Sequence, residues 1–567
     1  MRFRSLRVGT WLWQAVLLGF FALFLIYPVG YVLRHAFVDA AGRWTGSSFL
    51  LLASDPLQRT YLLHSFLIAT VTTLLTLLIA LPLSYIMTHL RFPGKPILGS
   101  LLLLPMILPP FVGAIGMQKI LGRFGILNLA LMKLGLLAPQ HPIPWLSLMG
   151  PWGIILIQIL GLFPIAYLNV SAAMANIDPS LRDAALNLGA SPWRVFRTIT
   201  LPMVIPGIFA GASIIWIWSF TDLGTPLVFG YERVVAVQIF NSLHELNTNP
   251  MGYALVVCVL GITSLLYILS RRFFASIPWE NLSRGTTEGL EKEASPLLAV
   301  LIWIGCGLLL LLALLPHLAV VLHSLSQRWF FSIGPTQWTF GHYKEIFQAG
   351  GASQSIQNSL FYASLSACLD GVLGIGIAWL LTRRRTRLAS VFDTLAMLPL
   401  AIPGLVLAFG FVAGFNVDVD WINPRTNPTF LLIVAYAVRR LPYMVRAAVA
   451  GFQQSPQVLE EASANLGAGP FTTFRRITFP LIRVNLVAGM ILTFAFAMLE
   501  VSDSLILAMR QQYFPITKMI YDLLGRVDPN APSLACAMGV VGMIVLGLSL
   551  LLATLLLGRR MSQLFRF

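Results

Sequence analysis

The chain has 567 residues, 57% of them hydrophobic and only 11% charged, and its 38 Lys and Arg against 22 Asp and Glu give a net charge of +16. Soluble domains carry roughly 25% charged residues, so half of the expected solvated surface is missing and a soluble enzyme of this length is excluded. Disorder is excluded too, because so apolar a chain buries more than enough surface to offset its ordering entropy.

The basic residues lie in short clusters between long apolar stretches rather than in one polar domain, which points to membrane topology and away from nucleic acid. Cys258, Cys306, Cys368 and Cys536 sit in apolar runs without metal-ligand or CxxC spacing and read as core or lipid-facing residues. The basic start followed by an apolar stretch from Trp11 to Leu33 is longer than a signal peptide's and is expected to remain as a first span.

Crossing about 30 Å of hydrocarbon takes about 20 apolar residues. Twelve such stretches are predicted, near 11–34, 61–88, 97–118, 151–175, 202–222, 251–270, 297–322, 357–381, 390–414, 429–449, 481–501 and 533–557. Prolines break the third (Pro105, Pro109, Pro110) and the ninth (Pro399, Pro403). With both termini inside, 25 of the 38 basic residues, Arg439 and Arg440 among them, fall in inner segments, as the positive-inside rule requires of a cytoplasmic N-terminus.

The sequence repeats internally. Asp183-Ala-Ala-Leu-Asn-Leu-Gly189 matches Glu461-Ala-Ser-Ala-Asn-Leu-Gly467 at an offset of 278, and Leu104–Pro109 matches Leu398–Pro403 at 294. The expected fold is therefore an all-α polytopic membrane protein of two parallel six-helix repeats: residues 1–270, a cytoplasmic linker at 271–296, and residues 297–567.

The duplicated segments, 178–202 and 455–480, lie between the fourth and fifth spans of each half. Asp178-Pro179 opens a short helix that Gly189 stops; Ser191-Pro192 opens a second, ending before Leu201-Pro202 enters the next span. Ser455-Pro456, Gly467, Pro470 and Pro480 repeat the pattern. An acid, two small residues, a glycine four further on and a distal Leu-Pro resemble the EAA loop of permease subunits of binding-protein-dependent ABC importers. The first copy fits with Asp183, Ala184, Ala185, Gly189 and Pro202, and the second with Glu461, Ala462, Gly467 and Pro480, departing at Ser463 and Phe479. The resemblance implies a fused type I importer membrane domain in the bacterial inner membrane, receiving substrate from a periplasmic binding protein. In it these loops are coupling helices that dock on an ABC ATPase in two copies, with Asp183 and Glu461 meeting basic residues. Arg194, Arg197, Arg475 and Arg476 then meet either the ATPase or lipid phosphates. No phosphate-loop motif occurs in the sequence, so ATP and magnesium are expected on the separate ATPase, with no cofactor or metal on this chain and no catalytic residue.

Intramembrane acids are candidate transport residues. Asp222 aligns with Glu500, and Asp503 follows; they either attract a cationic or metal-bearing substrate near the outer side of a central path or cap the span ends. Asp370 reads as a helix-packing polar contact. The resemblance reaches ferric-iron, thiamine, aminoethylphosphonate and polyamine permeases, with ferric iron the first expectation. An ion-coupled secondary transporter shares the twelve-span outline but has no reason to duplicate such a hairpin. A membrane-embedded enzyme is disfavoured because the eight histidines show no ligand spacing.

Overall fold

The computed structural model describes residues 2–38, 42–246, 249–275, 292–329, 331–348, 350–384 and 388–557. Most of the expected linker, 276–291, lies outside them. Nine helices among the described residues are long and apolar enough to cross a membrane: Thr10–Phe37, Pro56–His89, Pro151–Ala175, Pro192–Phe220, Met251–Ser270, Pro296–Ser324, Gly350–Arg384, Pro470–Met498 and Ala531–Leu552.

Two bent pairs fall at the expected third and ninth spans: Lys95–Ile107 with Pro110–Lys133 at 87°, and Ala389–Leu400 with Gly404–Gly414 at 100°. Both breaks lie where proline removes a backbone donor, and Pro109 and Pro403 adopt extended conformations at ψ 127° and 143°. The remaining expected span is the helix Thr429–Gln454, whose 26 residues reach about 39 Å at about 1.5 Å each. Arg439 and Arg440 lie in its middle instead of at an inner end, so the tally of inner basic residues falls from 25 to 23.

The chain folds as two compact units, one of Met1–Asp55, Ile239–Leu260 and Tyr343–Phe565, the other of Pro56–Gln238 and Gly261–His342. These do not follow the sequence halves. The first span belongs with most of the second half, and the seventh with most of the first.

A pair of glycines equivalent in the repeat explains the exchange. Within the first unit the opening span lies against Gly404–Gly414, where Tyr27 Oη donates to the Gly414 carbonyl at 2.9 Å. A Cβ on Gly410 would stand 2.9 Å from the carbonyl oxygen of Pro28. Within the second unit, Pro296–Ser324 packs on Pro110–Leu121, and a Cβ on Gly116 would overlap the Pro316 carbonyl oxygen. Only glycine lets each pair of backbones approach this closely.

Candidate functional site

Both duplicated segments fold as a helix, a left-handed glycine and a second helix. In the first copy Asp178 accepts a hydrogen bond from the Ser180 amide at 2.9 Å and starts Pro179–Asn187. That helix ends when Gly189, at φ +82°, donates to Leu186 O at 2.9 Å and Ala190 donates to Ala185 O at 3.0 Å. The second copy closes identically: Gly467, at φ +87°, donates to Ala464 O at 3.0 Å, and Ala468 to Ser463 O at 3.1 Å. The two bonds satisfy carbonyls that a helix end leaves orphaned, and the positive φ explains the glycine at each position. Unlike Asp178, Ser455 does not cap its helix. Its hydroxyl is buried without a partner, while its carbonyl accepts from Arg383 at 2.8 Å.

The second limb of each hairpin departs from expectation. Instead of ending before Leu201-Pro202, the helix from Pro192 runs on to Phe220, and Pro470 likewise runs to Met498. A π turn makes this possible: Leu201 N donates to Phe196 O, and Phe479 N to Phe474 O, five residues back in each case. The wider turn just ahead of Pro202 and Pro480 accommodates the rings that a regular helix would exclude.

Asp183 and Glu461 are exposed, whereas the preceding Glu460 is fastened to Arg383 at 3.0 Å. The sequence reading missed the apolar tips. Leu188 and Leu466 are 88% and 90% exposed, and Trp193 and Phe471 are exposed beside them. A cluster of exposed large apolar side chains beside an acid has the composition of an interaction surface. Their recurrence at an offset of 278 in a polar loop was the available signal.

Ser463, the departure from the Ala-Ala pattern, is also explained. Its hydroxyl lies 2.9 Å from Thr473 Oγ1, tying the two limbs together, where the first copy has Ala185 and buried Val195. Ser463→Ala leaves the buried Thr473 hydroxyl unpaired, and should lower the stability of this unit by about 1–3 kcal/mol. Adding Thr473→Val to Ser463→Ala recreates the first copy's apolar pair and should restore most of it, as denaturation of the parent chain, the single variant and the double variant would show.

The acids expected along the path have two different environments. Asp222 accepts from Gln158 Nε2 at 3.0 Å and from the amides of Gly224 and Thr225 at 3.1 and 3.4 Å, which caps the helix Gly224–Phe229. Gln158 in turn accepts from Thr72 and Ser219 at 3.2 and 2.6 Å. The void beside this network is about 10 Å³, room for at most one water molecule.

Glu500 is clasped between Arg439 and Arg440, and Arg439 also lies 3.5 Å from Asp503. Two arginines thus offset two carboxylates, and a cationic substrate meets no net negative charge there. A Cβ on Gly404 would overlap Arg439 Nη1, so this glycine makes room for the guanidinium. Asp370 is fully buried, and neither of its carboxylate oxygens has a hydrogen-bond partner, so the expected packing contact does not form.

The profile of the family described as "Binding-protein-dependent transport system inner membrane component" matches residues 80–277 and again 371–563. The chain belongs to this family. It is a fused two-half permease of the multi-pass, inner-membrane kind, and each match includes one of the duplicated hairpins.

Among its relatives is the ferric transport system permease protein FbpB of Actinobacillus pleuropneumoniae, 26% identical over 544 residues that cover 94% of this chain and 75% of the relative. The thiamine transport system permease protein ThiP of Escherichia coli K12 is 27% identical over 71% of this chain and 74% of its own length. The molybdenum transport system permease protein ModB of the same strain matches 41% of this chain over its whole length, also at 27% identity. A relative of half the size matching in full is what a permease fused from two repeats should show.

Proposed function

We propose that this permease imports ferric iron, taking it from a periplasmic binding protein and releasing it to the cytoplasm as a separate ATPase hydrolyses ATP with magnesium. The observation that carries the coupling is the pair of matched hairpins, each presenting an exposed leucine, an exposed aromatic ring and an exposed acid behind a left-handed glycine. Two such surfaces accept two ATPase copies, with Asp183 and Glu461 meeting basic residues and the leucines filling apolar grooves. Both termini and both hairpins then face the cytoplasm, in keeping with the inner clusters of arginine.

The choice of iron rests on the ferric permease relative, which matches nearly the whole chain; thiamine is the second reading, on the ThiP match. Proteoliposomes holding the permease and its ATPase, supplied with ATP and loaded binding protein, should accumulate radiolabelled ferric iron. Accumulation of thiamine instead, under the same conditions, overturns the assignment while leaving the importer intact.

A further inference from the structure

A second cavity, larger than the void beside Asp222, lies away from the acids. It measures about 380 Å³, lies wholly within the first unit, and is lined by His244, Arg425 and Lys518 against walls that include Phe240, Leu505 and Met509. His244, Arg425 and Lys518 come from three separate segments, following the fifth, ninth and eleventh spans, which the proposed orientation puts on the outer side. No acidic side chain is among the lining residues.

Lys518 is held in position but not neutralised. Lys518 Nζ donates to the Leu505 carbonyl at 3.1 Å and lies 5.5, 5.6 and 5.8 Å from the ring centres of Phe514, Phe240 and Tyr521. That leaves donors of the ammonium group free. Asp522, the acid nearest to it in sequence, is engaged by Arg526 at 2.6 and 2.9 Å. Among the described residues the half-buried guanidinium of Arg425 has neither a hydrogen bond nor an ion pair.

We propose that this cavity binds a small multivalent oxyanion, a carboxylate or phosphate compound, either free or as part of the ligand shell of a ferric ion. Converging cations in an apolar-walled cleft focus a positive potential, and a guanidinium offers paired donors that match carboxylate and phosphate oxygens. The volume is at the lower end of the roughly 300–1,000 Å³ of small-molecule sites, ample for a tricarboxylate. The same field repels thiamine and polyamines. The metal-bound form rests on the proposed import of iron; the anion site itself does not.

The test is direct binding to the purified permease in nanodiscs, with inorganic phosphate, citrate and ferric citrate as probes and spermidine as the cationic control. At least one anion should bind. Arg425→Gln and Lys518→Gln should each weaken it about tenfold or more, while Lys518→Arg retains it. Burial pulls the Lys518 ammonium down to about 8, with Asp522 opposing, so binding should fall as pH rises from about 7 to about 9 and the proton is lost. Binding of phosphate or citrate alone identifies a free anion; binding of ferric citrate only identifies the metal-bound form.

No anion bound at tens of millimolar, equal binding of spermidine, or unchanged binding in both Gln variants with wild-type unfolding midpoints would overturn the site. Loss of iron uptake with anion binding intact overturns iron import instead, so the two proposals fail separately.

Discussion

Replacing Glu500 with Ala should destabilise the permease by about 3–5 kcal/mol, the largest effect of any single substitution considered for this chain. The carboxylate is 6% exposed, and Arg439 and Arg440 are 20% and 12% exposed. Removing it leaves two guanidinium groups facing each other with little water, opposed only by the more distant Asp503 at 3.5 Å. The backbone carbonyl of residue 500, which accepts from Ser504 and Thr517 at 2.5 and 2.8 Å, is unchanged by the substitution, so the loss is that of the side-chain charge. Thermal unfolding in nanodiscs should show the loss, and adding Arg439→Met and Arg440→Met should recover much of it, because an apolar cluster carries no unpaired charge. Gly404→Ala should give a smaller version, since it displaces Arg439. If Glu500→Ala unfolds at the wild-type midpoint, the clasped carboxylate is not holding these spans together.

Gly467→Val, and equally Gly189→Val, should abolish the coupling of ATP hydrolysis to transport. Both glycines have positive φ, and nothing lies within 4 Å of an added Cβ at either, so the penalty is purely conformational. A β-branched residue there costs at least about 1–3 kcal/mol and would be relieved by unwinding the cap. Unwinding redirects the exposed leucine that precedes each glycine. Asn, which tolerates this conformation, should retain more coupling than Ala, and Ala more than Val. The measurement is substrate moved per ATP hydrolysed by the reconstituted complex; unaltered coupling in the Val variants would mean that the hairpins do not transmit the ATPase stroke.

The parts of this architecture that could be read from sequence are those written in adjacent residues. Apolar length marks the spans, proline marks their breaks, and the recurring glycine marks the left-handed cap. What escaped depends on residues far apart in the chain. Arg439 and Arg440 look like inner-loop cations until Glu500, some 60 residues on, is placed beside them. The exchange of the first and seventh spans rests on close approaches between Gly410 and Pro28 and between Gly116 and Pro316, and no periodicity encodes such a crossing. Pro202 and Pro480 read as helix breaks because a π turn hidden in Phe196–Thr200 and Phe474–Thr478 was needed to absorb them. Even so, the repeat itself held information that local reading passed over. Ser463 with Thr473 stands where the first copy has Ala185 with Val195, a paired exchange of apolar contact for a hydrogen bond.

The proposed mechanism converts the docking of an ATPase at two hairpins into the import of ferric iron. Its most direct test is the ATPase activity of the copurified complex in nanodiscs, with and without an iron-loaded binding protein. Stimulation by the iron-loaded protein, lost in Gly467→Val, is the predicted result; an ATPase that fails to copurify, or whose activity ignores the loaded binding protein, would contradict it.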